Sequence, residues 1–227
     1  MTDAPLSILL FAAGLGTRMA PLTDSRPKPL IEVAGRTLLD HALDLCGGLR
    51  VVVNSHYLAD QIAEHLHGSD VLISHETDRP LETGGGLKRA LPLLTSNPVF
   101  TLNTDAVWQG ADPVDVLSRR WELGMEALLL LIPRRNATGH VGSGDFDLDE
   151  TGRIVRGTDF VYSGLQIIRT DRLKEIPAEA FSMWALWTGM IERRTMFGYV
   201  YGVRWCDVGR PESIEIAEEM LAGPVDV

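Results

Sequence analysis

Short apolar runs alternate with amphipathic stretches along the first half of the chain. Ile8 to Ala12, Val51 to Asn54, Val71 to Ser74, Val99 to Asn103 and Leu128 to Ile132 read as buried strands. Between them lie helix-like segments at Leu38 to Cys46, Ala59 to His67, Gly86 to Leu94 and Pro113 to Leu123. Such alternation predicts parallel strands joined by helical crossovers, hence a twisted sheet covered on both faces. After Pro133 the strands become shorter and more polar: Asp145 to Leu148, Ile154 to Arg156, Phe160 to Ile168 and Tyr199 to Trp205. A helix around Phe181 to Arg194 interrupts them, and another over Glu212 to Leu221 closes the chain. This half is expected to extend the sheet and to add a lid or hairpin. No repeat, low-complexity segment or linker divides the sequence, so residues 1–227 read as one domain. In open α/β sheets ligands bind beyond the C-terminal strand ends, which makes the residues after each run the candidates.

Composition narrows the function. The 227 residues carry 21 Lys and Arg against 31 Asp and Glu, a formal charge of −10, with 45% hydrophobic and 23% charged residues. A chain of this size buries roughly 70% of its unfolded surface and needs no staple. The acidic balance argues against a nucleic-acid binder, whose affinity comes from clustered Lys and Arg. Any polyanion must therefore be held by a local site. Cys46 and Cys206 match no zinc, redox or paired-thiol spacing, which fits a reducing compartment. The stretch Met1 to Ser7 lacks the basic start of a secretory signal, and Ala127 to Ile132 is too short to span a bilayer. A cytoplasmic protein without a membrane partner is expected, and in it Asn136-Ala-Thr138 is a chance match to a glycosylation acceptor.

The first run ends in Phe11-Ala12-Ala13-Gly14-Leu-Gly16-Thr17-Arg18-Met19. Small residues and two glycines let backbone approach a ligand, and successive amides can form an anion-binding nest. The dinucleotide fingerprint fails because Met19 stands where it needs Gly or Ala, and the P-loop's Gly-Lys-Ser/Thr is absent. The loop continues through Pro21-Leu-Thr23 to Arg26-Pro27-Lys28-Pro29-Leu30. Between two prolines Lys28 is expected on an extended backbone, a flexible cation on a stiffened segment. Arg18, Lys28 and the glycine amides together supply what a triphosphate requires. The plainer alternative is a glycine turn followed by a solvated basic loop.

These residues resemble the signature of sugar-1-phosphate nucleotidylyltransferases. Pro80-Leu-Glu82-Thr-Gly84-Gly85-Gly86, Asn103-Thr-Asp105-Ala-Val-Trp108, Gly144-Asp145-Phe146, Tyr162-Ser163-Gly164 and Trp205-Cys-Asp207-Val-Gly209 together resemble its N-acetylmuramate-1-phosphate uridylyltransferase branch, which serves bacterial cell-wall recycling. The resemblance implies a Rossmann-like, mixed and mostly parallel sheet flanked by helices, the GT-A-like fold of nucleotide-diphospho-sugar transferases. It implies a nucleotide-binding half over about 1–132 and a sugar-binding half over about 133–227. Ala12, Ala13, Gly14, Gly16, Thr17, Arg18 and Lys28 are then expected to bind the nucleotide.

Asp105 follows a strand end, where a carboxylate beside triphosphate-binding groups is placed to hold Mg²⁺, a hard ion that takes one or two protein carboxylates. Asp207 ends the late strand in the same manner. Spacing alone cannot pair them; the resemblance does, because the family uses an Asp at each motif position as a metal ligand. The alternatives are helix caps, Asp105 before a following helix and Asp207 before Gly209-Arg-Pro-Glu212. Many relatives have Gly-Asp where this chain has Thr104-Asp105, which leaves the carboxylate intact.

The resemblance implies that Glu82, Gly84 and Gly85 bind the nucleobase, with three glycines letting a flat base lie against backbone. Glu82 can accept the imide N–H of uracil or two donors from guanine, so it does not decide the base. Gly144, Asp145, Tyr162, Ser163 and Gly164 carry over as sugar-side elements, although hairpin turns and strand kinks use the same residue types. Phe181 to Trp187 reads as the buried stripe of a helix rather than a base-stacking site. The six histidines form no ligand pair; His140, near the sugar loop, is the one of interest. No serine elbow, His-Glu-x-x-His or Cys-His pairing is present.

The implied reaction is in-line attack of a sugar-1-phosphate oxygen on the α-phosphorus of a nucleoside triphosphate, UTP and N-acetylmuramate α-1-phosphate first, releasing pyrophosphate. Positioning and charge neutralisation suffice for it. Arg18 and the loop amides would hold the pyrophosphate, and Lys28 the transition-state charge. The alternatives are a mannose-1-phosphate guanylyltransferase or another sugar-1-phosphate nucleotidyltransferase, a molybdopterin nucleotidyltransferase, a glycosyltransferase reading Asn103-x-Asp105 as its metal motif, and a silent nucleotide-binding regulatory subunit. The chain is expected to act as a monomer or weak homo-oligomer.

Overall fold

The computed structural model describes residues 4–202 and 204–224. Met1 to Asp3, in the stretch read as lacking a leader, and Val203, inside the expected strand Tyr199 to Trp205, lie outside the described residues. Strand β1 (Ser7–Phe11) leads into the glycine loop, and β2 (Glu32–Val33) and β3 (Arg36–Thr37) form a hairpin. Helix α1 (Leu38–Asp44), β4 (Arg50–Ser55), α2 (Ala59–His65) and β5 (Leu72–His75) follow. Helix α3 (Glu82–Ala90), β6 (Val99–Asn103), β7 (Ala106–Gln109) and α4 (Pro113–Ser118) complete the first half. The second comprises β8 (Ala127–Pro133), β9 (Ala137–Thr138), β10 (Phe146–Leu148), β11 (Ile154–Arg156), β12 (Phe160–Ile168), α5 (Trp184–Glu192), β13 (Met196–Val200), β14 (Arg204–Asp207) and α6 (Glu212–Ala222). Helix starts follow side-chain chemistry: Thr37 accepts the Asp40 N–H at 3.0 Å, and Asp112 accepts the Val114 N–H at 2.8 Å.

The principal sheet runs β5–β4–β1–β6–β12–β8–β13, with β10 and β11 joined to the start of β12. It is mostly parallel, with β12 antiparallel to both β6 and β8. Both halves of the chain contribute strands to it. Alternation along the buried strands feeds two cores. Ile8, Leu10, Leu128, Leu130 and Ile132 face α1, α2 and α4. Leu9, Ala127, Leu129 and Leu131 face α3 and α5. A third core lies under α6, where Ala217 and Met220 cover Val107 and Cys206 of the small sheet β7–β14–β9 and Val208 just beyond it.

Several expected elements change, among them the helix placed at Pro113 to Leu123, which ends at Ser118. The helix placed at Gly86 to Leu94 begins four residues earlier, at Glu82, so all three glycines lie inside it. The late strand Tyr199 to Trp205 is two strands: β13 pairs with β8 and ends at Val200, and β14 belongs to the small sheet. The helix from Phe181 starts at Trp184, while Phe181 and Trp187 are buried and Trp184 stays partly exposed against Phe146.

The early start of α3 explains its glycines. A Cβ at Gly84 would meet the Phe181 ring at 2.5 Å, one at Gly85 would overlap the Glu179 carbonyl oxygen, and one at Gly86 would come within 2.8 Å of Asn54 and Glu76. Because backbone blocks it, Gly85→Ala is expected to cost about 1–3 kcal/mol by overpacking. Gly47→Ala, which meets nothing within 4 Å, is the control. A lowered urea midpoint for the first variant alone is the expected result.

Candidate active site

The middle strands end in register, with Phe11 opposite both Asn54 and Asn103. From β1 the chain winds outward through β4 and β5, then crosses to β6 on the other side. The loops after β1 and β6 therefore diverge and open a crevice at this switch point. Thr104, the departure from Gly-Asp, is buried here and donates its hydroxyl to the Phe11 carbonyl at 2.8 Å, tying the two strand ends together.

Gly16 adopts a left-handed conformation with φ of 65°, and its carbonyl accepts the Thr23 hydroxyl at 2.9 Å. A Cβ there would press on Thr23 and on Lys28 at 3.0 Å. Lys28 does not sit on an extended backbone: Lys28 to Leu30 closes a 3₁₀ turn, with Leu30 N–H donating to Pro27 O and Ile31 N–H to Lys28 O. Pro29 fits because the first turn of a helix leaves its amides unbonded. From this turn the Lys28 Nζ reaches Asp105 Oδ2 at 2.8 Å, its side chain only 12% exposed.

Asp105 caps no helix, since β7 follows it directly. Strand β14 pairs antiparallel with β7 and sets Asp207 opposite Ala106, and the Val208 N–H donates to the Asp105 carbonyl at 2.8 Å. The fold thus makes neighbours of the two aspartates. Burial, and next the charge of Asp105, raise the Asp207 pKa above the ordinary carboxylate value, while Lys28, Arg18 and His140 oppose the rise. Gly139 packs against the Asp207 carbonyl, which seats the 139–144 loop beside this carboxylate.

Two cavities meet here. A cleft of about 220 Å³ is lined by Ala12, Ala13, Asn54, Glu76, Glu82 and Thr83 among others. A second, of about 400 Å³, is lined by Gly16, Thr17, Arg18 and Gly209. Gly14, Lys28 and Asp105 line both. The first suits a flat base and the second a chain of phosphates bearing on loop amides and Arg18. Among the described residues no group of three or more His, Cys, Asp and Glu forms a ready metal cage. Asp105 and Asp207 together are residues that could hold a hard cation whose remaining ligands are phosphate oxygens and water.

The remaining expected site residues divide. Glu82 lines the cleft, whereas Gly84 and Gly85 do not: both are buried against the Glu179 to Phe181 segment and serve packing. Ser163 donates its hydroxyl to Leu130 O at 2.8 Å, and Tyr162 packs edge-on against Trp187 with its buried hydroxyl against the Thr101 side chain. Asp145 accepts the Tyr162 N–H at 2.8 Å, and a Cβ on Gly144 would overlap the Thr158 carbonyl. Gly164, at an irregularity in β12, lets the strand approach Asn103. These five residues line neither cavity. Two cleft residues escape motif reading: Asn54, at the end of β4, and Glu76, just past β5, which is 1% exposed. Their signal in the sequence is a polar residue at or just beyond an apolar run, on the edge where ligands bind.

A glycine loop, a lysine and paired aspartates around one crevice of a mostly parallel sheet define a nucleotide-handling α/β transferase. The chain belongs to the MobA-like NTP transferase domain family, whose model matches residues 8–141, and is a nucleotidyltransferase. It is 37% identical, over 98% of its length and 99% of the relative's, to N-acetylmuramate alpha-1-phosphate uridylyltransferase of Caulobacter vibrioides. It is 31% identical to the enzyme of that name from Neisseria meningitidis, covering 90% of this chain and 93% of the other. Among solved structures it resembles HddC from Yersinia pseudotuberculosis complexed with GMP-PN, with a TM-score of 0.72, 21% identity and coverage of 95% and 99% of the two chains. That likeness carries the fold, which is the GT-A-like one. No helix of the described residues is long and apolar enough to cross a membrane.

The raised Asp207 pKa has a thermodynamic consequence. The folded state holds that proton more tightly than the unfolded chain, so the carboxylate destabilises the fold above its folded pKa. The penalty fades as pH falls towards the ordinary aspartate value of 3.8. In chelator, Asp207→Asn is expected to raise the Tm at pH 7, and the gain is expected to vanish by about pH 4. Thermal melts of both proteins across pH check it.

Proposed function

We propose that the chain transfers a uridylyl group from UTP to N-acetylmuramate α-1-phosphate, releasing pyrophosphate and forming a UDP-sugar for bacterial cell-wall recycling. The observation that carries this reading is the Lys28–Asp105 contact of 2.8 Å at the junction of the two cavities, with Asp207 beside it. The near-full-length likeness to two uridylyltransferases supports the choice of substrates.

The attacking sugar phosphate is already ionised, so the reaction needs no general base, and positioning with charge compensation supplies the rate. Gly14, Gly16 and Arg18 bind the β- and γ-phosphates and hold the departing pyrophosphate. Lys28, braced by its 3₁₀ turn, bears on the α-phosphate, where negative charge accumulates. Glu82 and Thr83 face the base, and the loop 139–144 approaches the sugar phosphate from the Asp207 side. Mg²⁺ is the cation that Asp105 and Asp207 fit, and when bound it neutralises phosphate charge in the reacting pair.

Pyrophosphate release measured over a matrix of nucleoside triphosphates and sugar-1-phosphates tests the proposal. Turnover with UTP and N-acetylmuramate α-1-phosphate is expected, and a preference for GTP with mannose-1-phosphate would overturn the substrate choice. Asp105→Ala is expected to lower kcat at least about 10³-fold with the fold intact, and chelator to remove turnover of the wild type. Undiminished turnover in either case rejects the assigned carboxylate role.

A further inference from the structure

Beneath the base cleft a chain of three hydrogen bonds joins its opposite walls. The Ala12 N–H, on the glycine-loop side, donates to Asn54 Oδ1 at 2.7 Å. Asn54 Nδ2 donates to Glu76 Oε1, also at 2.7 Å. The other oxygen of Glu76 accepts the N–H of Leu81, the residue before α3, at 2.7 Å. Ala12, Asn54 and Glu76 are all at most 2% exposed. A buried carboxylate is costly to keep, and no ion pair compensates it among the described residues. What a carboxylate offers and an amide does not is acceptance on both oxygens, here from donors on two different elements.

Leu81 is held from its other side as well, its carbonyl accepting the Phe181 N–H at 3.1 Å. The next residue, Glu82, has φ of 60°, a left-handed conformation that a side chain of its kind avoids. Of the four non-glycine residues with positive φ among those described, Glu82 alone lines the base cleft. Gly86 completes the seat, since a Cβ there would press on Asn54 and Glu76 together.

We infer that Glu76 and Asn54 are positioning residues for nucleobase selection: they set the separation of the two cleft walls and hold Glu82 in its left-handed conformation, aimed at the base. The inference rests on the reading of this cleft as the nucleotide site. It assigns the selecting function to a lock under the ligand as well as to the residues facing it.

Equilibrium binding of UTP, CTP, GTP and ATP, which needs no turnover, tests it alongside steady-state kinetics and thermal melts. Glu76→Gln keeps the volume but turns an amide N–H₂ towards one of the two donors. It is expected to weaken binding of the preferred nucleotide about tenfold and to narrow the spread of affinities among bases. Its kcat at saturation and its KM for the sugar phosphate are expected to stay within about threefold of wild type. Glu82→Gly removes the strained side chain, so its Tm is expected to be no lower than wild type while the base preference narrows in the same way. A folded Glu76→Gln with wild-type affinities and preference overturns the inference. So does a parallel loss of kcat and of both substrates' KM that tracks a lowered Tm, the mark of a merely structural role. If Glu76→Gln does not fold, Glu82→Gly decides, and an unchanged preference there rejects the lock. Failure of the wild type to bind any nucleotide overturns the nucleotidyl-transfer reading, and this inference with it.

Discussion

Two aspartates set side by side at a sheet edge repel, and the rest of the site is arranged around that repulsion. The pairing of β7 with β14 imposes it, because Asp207 lies opposite Ala106 and so beside Asp105. Burial makes it worse by stripping water from Asp207. Lys28, turned inward by a 3₁₀ turn, bonds one aspartate, while Arg18 and His140 oppose the charge of the other. A site under such electrostatic load is poised to gain from a cation that arrives with phosphates, which is what the proposed reaction requires. The formal charge of −10 therefore describes the protein's surface at large and conceals a locally basic loop that faces an acidic pair.

The base side of the crevice depends on a different constraint, the close approach of α3 to the sheet. Gly84, Gly85 and Gly86 bring the helix against Phe181, Glu179 and the Asn54–Glu76 pair with no room for a Cβ. That approach lets one hydrogen-bonded chain reach from Ala12 to Leu81. The glycines act as packing residues whose effect on the ligand is indirect. Tyr162 and Ser163 are comparable: their hydroxyls bond Thr101 and Leu130 inside the sheet and face neither cavity.

Much of the fold is legible in the chain itself. Continuous apolar runs mark β1, β4, β6 and β8 to within a residue or two, because strands buried on both faces leave little choice of residue type. The helix over the glycines is harder, since a run of glycines carries no helical propensity and only tertiary packing favours it there. The antiparallel placement of β12 between β6 and β8 leaves no local trace, and neither does the separation of β13 from β14. Of the site, the glycine loop and Lys28 are legible because they are contiguous and need unusual residues. Glu76 is marked only by its place just past an apolar run, and its burial is not, because a buried carboxylate and a solvated one look alike in a sequence.

The alternation of strands and helices, the glycine loop after the first strand and the two aspartates at strand ends are all written in local stretches of the chain. Those features depend on neighbours within a few residues. That Asp105 meets Asp207 and Lys28, that Asn54 and Glu76 join the walls of one cleft, and that Gly84 and Gly85 face protein follow from how the strands and helices pack together. The physical reason is that strand order and helix approach are settled by burying whole faces at once. Contacts between residues far apart in the chain follow from that global packing and are written in no single segment.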